Sequence, residues 1–379
     1  MHPTVKPALR RAWRNLQYVQ FGATPAHAVV VGPVDTTTGS LLSLVDGTRG
    51  LALLREEARA LGLPDGRLEA LLARLADAGL LDDRAAGDPP AAPSRRPDGA
   101  LDRLRADLAS LSVVHREPGG AIRRLTARGG MRVQVRGAGR VGASVAALLS
   151  AAGIGRVEVL DGGCVEPWDV APGGLPPEAV GERRDTAARQ LVNRSAPGGR
   201  PPRAGTVPGG REPGLSLVVV APRDGLAAYA PDPVTADGWV ATGTPHLYAG
   251  VVEATGLVGP LVLPGGTACA RCLELGRTDR DPAWPRMLAQ WRSGRRDPVP
   301  ACDVGLASAV AGAAAAHALA FLDGDLPAST GARSEAALPL LDWSVERISP
   351  HGDCPCGAAG GTEGERASGV GTGQDTMAG

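Results

Sequence analysis

The spacing of apolar residues changes character along the chain, and those changes divide it. Up to Arg84, two short β-like runs, LQYVQF and HAVVV, precede three helical patterns broken by glycine and proline, which predicts a small α+β unit. In the third pattern Leu68, Leu71, Leu72 and Leu75 recur at helical spacing, a stripe expected to be core, with Gly79 placed to stop the helix. Residues 85–97, AAGDPPAAPSRRP, have the composition of a semi-rigid spacer. A second domain is expected over 98–357. It opens with the helical pattern ALDRLRADLASLSVV, and from Met131 the pattern becomes strand MRVQVR, loop GAGRVG, helix ASVAALLSAAG and strand RVEVL, a βαβ unit. Further apolar runs, LSLVVVA and GLVGPLVLP, predict a mainly parallel sheet with helices on both faces, an α/β domain. The alanine-rich stretch from Val304 to Leu322 is apolar nearly all round and predicts a buried helix. Residues 358–379 hold too few apolar side chains to fold and are expected to be a disordered tail.

Charge narrows the function. The 40 basic and 40 acidic residues of the 379-residue chain cancel. No net field draws the protein onto nucleic acid or an anionic membrane, so neither is an expected partner. Among the basic residues, Lys6 is the one lysine. No apolar run reaches the roughly 18 residues of a membrane span, and the first residues lack the apolar stretch of a signal peptide, so a cytoplasmic protein is expected. In that reducing setting six cysteines, four of them in two tight pairs, point to metal rather than disulfides.

Two motifs carry chemistry. Gly137, Gly139 and Gly142 form G-x-G-x-x-G between a strand and a helix, where the glycines permit the tight turn, close approach of a phosphate, and helix-strand packing. Phosphate would rest on the helix N-terminus, and Asp161 at the end of the next strand is placed to accept hydrogen bonds from a ribose. This Rossmann-like geometry serves a dinucleotide or ATP. The second motif pairs Cys269-x-x-Cys272 with Cys354-x-Cys356, a thiolate set that would saturate a structural zinc and tie the C-terminal segment to the domain.

The order of glycine loop, ribose acid, Asp224 after a later strand, VGPLVLPGGTACARC, alanine-rich helix and terminal cysteine pair resembles the ThiF/MoeB-like E1 family, over roughly residues 100 to 357. Within it, the pattern is similar to E1-like proteins of actinobacteria and of azoline-forming ribosomal-peptide pathways. The resemblance implies ATP-dependent adenylation of a peptide or small-protein carboxylate, often by a homodimer. It places Gly137, Gly139, Gly142 and Asp161 on the nucleotide and Asp224 on magnesium. The family's catalytic lysine falls on Arg184 of G-E-R-R, which keeps the charge without the compact ammonium. The family's second acid falls on Gly163, and its Asn-x-x-Arg on Asp169-Val170-Ala171-Pro172, without the arginine. Cys302 lies where some members carry a transfer cysteine, and a low-pKa thiolate there would need a helix N-terminus or cations such as Arg295 and Arg296. Cys164, His246 and His317 read as packing or surface residues.

The first 84 residues resemble the winged-helix peptide-binding module of the PqqD type, through LLSLVDGTRG and ADAGLL. In that family a leader peptide adds a strand to the module's sheet. Two functions follow. One is adenylation, with Arg184 and the glycine loop on the phosphates and Asp224 on Mg2+. The other is a degenerate scaffold that binds a leader peptide and delivers it to a partner modifying enzyme. A third reading, an NAD-dependent oxidoreductase, shares the glycine loop but leaves the cysteine pairs unexplained.

Overall fold

The computed structural model describes residues 1–83, 99–199, 214–294 and 299–360. Arg84, the spacer 85–97, Arg295, Arg296 and residues 361–379 lie outside them. The chain divides into two compact units, Met1–Gly129 and Gly130–Gly379. The helical pattern after the spacer therefore belongs with the first unit, and the second begins at the strand before the glycine loop.

The first unit contains β1 (Pro3–Val5), β2 (Arg11–Trp13), β3 (Val19–Phe21), β4 (Val29–Val31), α1 (Thr36–Leu44), α2 (Leu51–Ala60), α3 (Arg67–Asp77), β5 (Leu81–Asp83), α4 (Ala100–Arg103), α5 (Arg105–Val114) and α6 (Gly120–Arg128). Strands β2, β3 and β4 form an antiparallel sheet, and β1 pairs antiparallel with β5. The leucine stripe of α3 is buried, as its period requires, against Val19, Phe21, Leu41 and Leu54. Gly79 follows α3 at φ +71, a left-handed stop that costs glycine little. In the D-G-T element, the Asp46 carboxylate accepts from the Thr48 backbone and hydroxyl, a self-contained turn beside β1. Lys6 is 1% exposed, its ammonium donating to the carbonyl of His115 at 2.8 Å, and burial lowers its pKa.

The second unit runs through β6 (Arg132–Arg136), α7 (Arg140–Ala151), β7 (Arg156–Leu160), α8 (Arg184–Ser195), β8 (Leu217–Val220), α9 (Leu226–Tyr229), α10 (Pro233–Ala241), β9 (His246–Val252), β10 (Thr255–Val262), α11 (Ala270–Arg280), α12 (Trp284–Ser293), α13 (Val304–Leu322), β11 (Ala332–Ala337) and β12 (Ser344–Arg347). One seven-stranded sheet orders these as β12-β11-β10-β9-β8-β6-β7. From β7 to β9 the pairing is parallel, and GLVGPLVLP, most of which forms β10, joins it antiparallel and leads to the antiparallel strands β11 and β12. The chain leaves β6 for β7 on one side and reaches β8 on the other, so the connections diverge at the carboxyl ends of β6 and β8. Open α/β sheets bind ligands at such a switch point.

Small side chains let α7 and α13 approach closely, and both bury residues in one core with β6, β8, β9 and β10. Within the 19 residues of α13 an 18-residue window has a mean hydropathy of 1.7, so an apolar run of membrane-span length does exist, contrary to the sequence expectation. Its packing in the core, through Leu306, Val310, Ala314 and Ala318, accounts for that composition. Of the expected tail, residues 358–360 are described, and Ala358 is buried.

Candidate functional site

The glycine loop folds as its spacing requires. Gly137 sits at φ +112, where a Cβ would overlap the Ala221 carbonyl at the end of β8. A Cβ on Gly142 would overlap the carbonyl of Gly137, so the loop and the first turn of α7 are in direct backbone contact. At Gly139, the N-cap of α7, the neighbour is Arg223, whose Cγ lies 3.2 Å from where a Cβ would stand.

Asp161 follows β7 and reaches the loop, its Oδ2 accepting from the Ala138 backbone N–H at 2.6 Å. Its other oxygen is taken by Arg184, the first residue of α8, whose Nε donates at 2.9 Å. The guanidinium spreads further, donating from Nη1 to the Cys164 carbonyl at 2.6 Å and from Nη2 to that of Gly162. The arginine at the family's lysine position thus lies on the expected ribose acid. Gly163 leaves room for it, since a Cβ there would lie 2.9 Å from Nη2.

Asp169, 1% exposed, was noticed in the sequence only as the place of a missing motif. It joins two arginines, accepting from Arg223 Nε at 2.6 Å and lying 3.6 Å from Arg184 Nη1. Asp224 is at the carboxyl end of β8 as expected, with Oδ1 accepting from the Leu226 N–H at 3.0 Å. A cleft of about 860 Å³ opens beside it, lined by Arg223, Asp224, Tyr229, Glu253 and Trp291 among others.

Three further side chains at the loop escaped sequence reasoning. Arg140 is one of the three variable residues inside the glycine motif, Trp168 precedes Asp169, and Arg223 precedes Asp224. With Gly139 and Cys302 they line a void of about 10 Å³ that shares Arg223, Val251 and Pro300 with the larger cleft. Their signal in the sequence was adjacency to motif residues. Cys302 offers its carbonyl to Arg140 Nη1 at 2.7 Å, and burial pushes its thiol pKa up against the opposing pull of Arg140. It is therefore no low-pKa thiolate. His246 is buried, tilted against Trp239 and edge-on to Tyr248, with Nδ1 at 3.1 Å from the Thr244 carbonyl. A carbonyl can only accept, so Nδ1 carries the proton.

The four cysteines converge as their pairing predicts. Cys269 precedes α11 and Cys272 lies in its first turn, while Cys354 and Cys356 return beyond β12. Their sulfurs all lie within 4.8 Å of one another and could hold a metal ion. Sγ of Cys269 is 3.9 Å from that of Cys272 and 3.6 Å from that of Cys354, and Cys272 is 3.6 Å from Cys356. The thiol proton that Cys269 donates holds the pKa of Cys272 well below that of a free thiol, a proton sharing that a bound cation would replace.

Residues 123–356, well over half of the chain, match the ThiF family. The chain belongs to the ThiF family. No protein of curated function matches it in sequence. Among solved structures it is similar to E. coli MccB with ATP, at 14% identity and a TM-score of 0.67, over 94% of this chain and 100% of that one. MccB with AMPCPP and MccA gives 13% and 0.68 over the same shares. The heterocyclase TruD gives 16% and 0.59 over 99% of this chain, which spans 45% of TruD. Both units therefore have counterparts in these folds, and the mixed α/β architecture is that of an E1-like protein.

Proposed function

We propose that this chain is a peptide-handling E1-like protein of ribosomal-peptide modification, in which the fold is kept for binding and the nucleotide position is held closed by the chain itself. The observation that carries this reading is Arg184 on Asp161. Both carboxylate oxygens are engaged, and the guanidinium that replaces the family's lysine is spent on Asp161 and on the carbonyls of Gly162 and Cys164. A ribose would have to displace a partly buried ion pair before using Asp161, at a cost of the order of a few kcal/mol. The partner is a precursor peptide, received by the first unit through its leader and passed to a modifying enzyme in the cytoplasm. MccB solved with MccA supports a peptide as partner, and TruD, a heterocyclase, supports the class of pathway.

A second reading, adenylation of the peptide's C-terminal carboxylate with ATP and Mg2+, is favoured by the intact glycine cradle and by MccB solved with ATP. In it Arg184 leaves Asp161 when ribose arrives, and Asp224 holds magnesium. A homodimer is part of both readings. In both, the cysteines hold a structural zinc. Zinc–sulfur bonds of about 2.3 Å give a tetrahedron with edges of roughly 3.8 Å, close to the 3.6–3.9 Å between Cys269 and Cys272, Cys269 and Cys354, and Cys272 and Cys356, and four thiolates leave no position open for catalysis.

ATP-pyrophosphate exchange by the zinc-loaded protein with candidate precursor peptides tests the proposal. Peptide binding without exchange supports it; peptide-dependent exchange abolished by Asp224→Ala replaces it with adenylation.

A further inference from the structure

Cys272 and Asp279 stand two turns apart on one face of α11, and the chain returning beyond β12 meets that face at both points through a single residue, His351. At the first point the His351 backbone N–H donates to the Cys272 sulfur. At the second, Nε2 of its ring lies 2.8 Å from Oδ2 of Asp279. The same residue shapes the turn that delivers the second cysteine pair. Its carbonyl accepts from the Cys354 N–H and its Nδ1 from the Asp353 N–H, both at 3.1 Å. A ring nitrogen that accepts holds no proton, so the proton sits on Nε2 and is donated to the Asp279 carboxylate.

Main-chain N–H, carbonyl and both ring nitrogens of His351 thus have separate partners, and each partner is a cysteine of the cluster, the residue before one, or the helix that carries one. Asp279 is 67% exposed, so its bond to the ring matters for the geometry it fixes more than for its strength. We infer that His351 is a positioning residue for the cysteine site, a clamp outside the four sulfurs that sets Cys354 and Cys356 against α11. The inference rests on the reading of these sulfurs as a zinc site. Groups that orient metal ligands from outside commonly change metal retention by about 10- to 100-fold, and the exposure of Asp279 puts this clamp at the lower end.

Zinc transfer from the full-length, zinc-loaded protein to excess 4-(2-pyridylazo)resorcinol, followed by absorbance, tests the clamp. His351→Ala and Asp279→Ala are each expected to release zinc about tenfold faster than wild type. The double variant should be no faster than His351→Ala, because the two side chains share one bond. His351→Gln, whose amide nitrogen can take the place of Nε2, should restore slow release. Arg280→Ala breaks the exposed ion pair to Glu346 from the same turn of α11 and should leave the rate unchanged. Loaded with cobalt instead, every variant should keep the thiolate-to-metal absorption of wild type, which verifies that the four sulfurs still bind. An unchanged rate in His351→Ala, additive effects in the double variant, or equal acceleration by Arg280→Ala would overturn the clamp. A wild type that takes up neither metal removes the zinc site and the clamp together, whereas a wild type that holds zinc no better than His351→Ala removes the clamp alone.

Discussion

Arg184 and Asp161 neutralise one another at the mouth of the glycine loop, Nε at 2.9 Å from Oδ1, with side chains 14% and 10% exposed. Replacing Arg184 by alanine leaves Asp161 only the Ala138 N–H, and the pair's partial burial puts the loss of stability at about 1–3 kcal/mol. Under the proposed function the same variant binds AMP more tightly than wild type, because the ribose acid is vacated. Calorimetric titration checks this, and weaker AMP binding by the variant would count for Arg184 as a phosphate ligand. Gly163→Asp, which intrudes on Nη2, is expected to act in the same direction.

Gly137 and Gly142 admit no side chain. Gly137→Ala adds a positive-φ strain to a backbone overlap, and Gly142→Ala presses α7 off the loop. Each is expected to destabilise the second unit by about 3 kcal/mol or more, read as a shifted urea midpoint. A loss under 1 kcal/mol for Gly142→Ala would contradict the close packing described.

One zinc per chain is expected by metal analysis, and Cys272→Ser should abolish it. Chelation should lower the melting temperature of the wild type and leave that variant unaffected, since metal-binding energy contributes directly to folding. Equal chelator sensitivity of the two would place the metal elsewhere.

Burial lowers the proton affinity of His246, and of His317, below the ordinary value of 6.5. The unfolded chain then binds these protons more readily, so stability is complete above that value and falls as the pH drops below it. For each group the slope approaches about 1.4 kcal/mol per pH unit until the folded pKa is passed. Urea unfolding between roughly pH 7.5 and 5.5 checks this, with His246→Gln expected to flatten the dependence.

The elements with strong periodicity were legible in the sequence: the leucine stripe of α3, the βαβ unit around Gly137–Gly142, and the converging cysteine pairs. These depend on local spacing. β1, β2 and β5 were not, because PTV, RAW and LDD sit in no longer apolar run, whereas the equally short β3 and β4 lie within LQYVQF and HAVVV. The antiparallel half beyond β9 was also hidden, since an apolar run does not reveal its pairing direction. At the site, the positions of Asp161 and Arg184 were legible but their union was not. Asp169 was hidden for the same reason, since its meaning lies in two arginines, Arg184 and Arg223, brought to it by α8 and β8. Ion pairing between distant segments leaves no periodic trace.

Lys6 is the chain's one lysine, and its amine is sealed beneath the surface of the first unit. The folded protein accordingly presents guanidinium groups but no lysine ε-amine to acylating reagents. An activated ester or acyl phosphate held by this protein, or by an enzyme docked to it, finds no lysine on the carrier to capture the acyl group. Conversely, acylation of Lys6 can serve as a clock for the opening of the first unit alone.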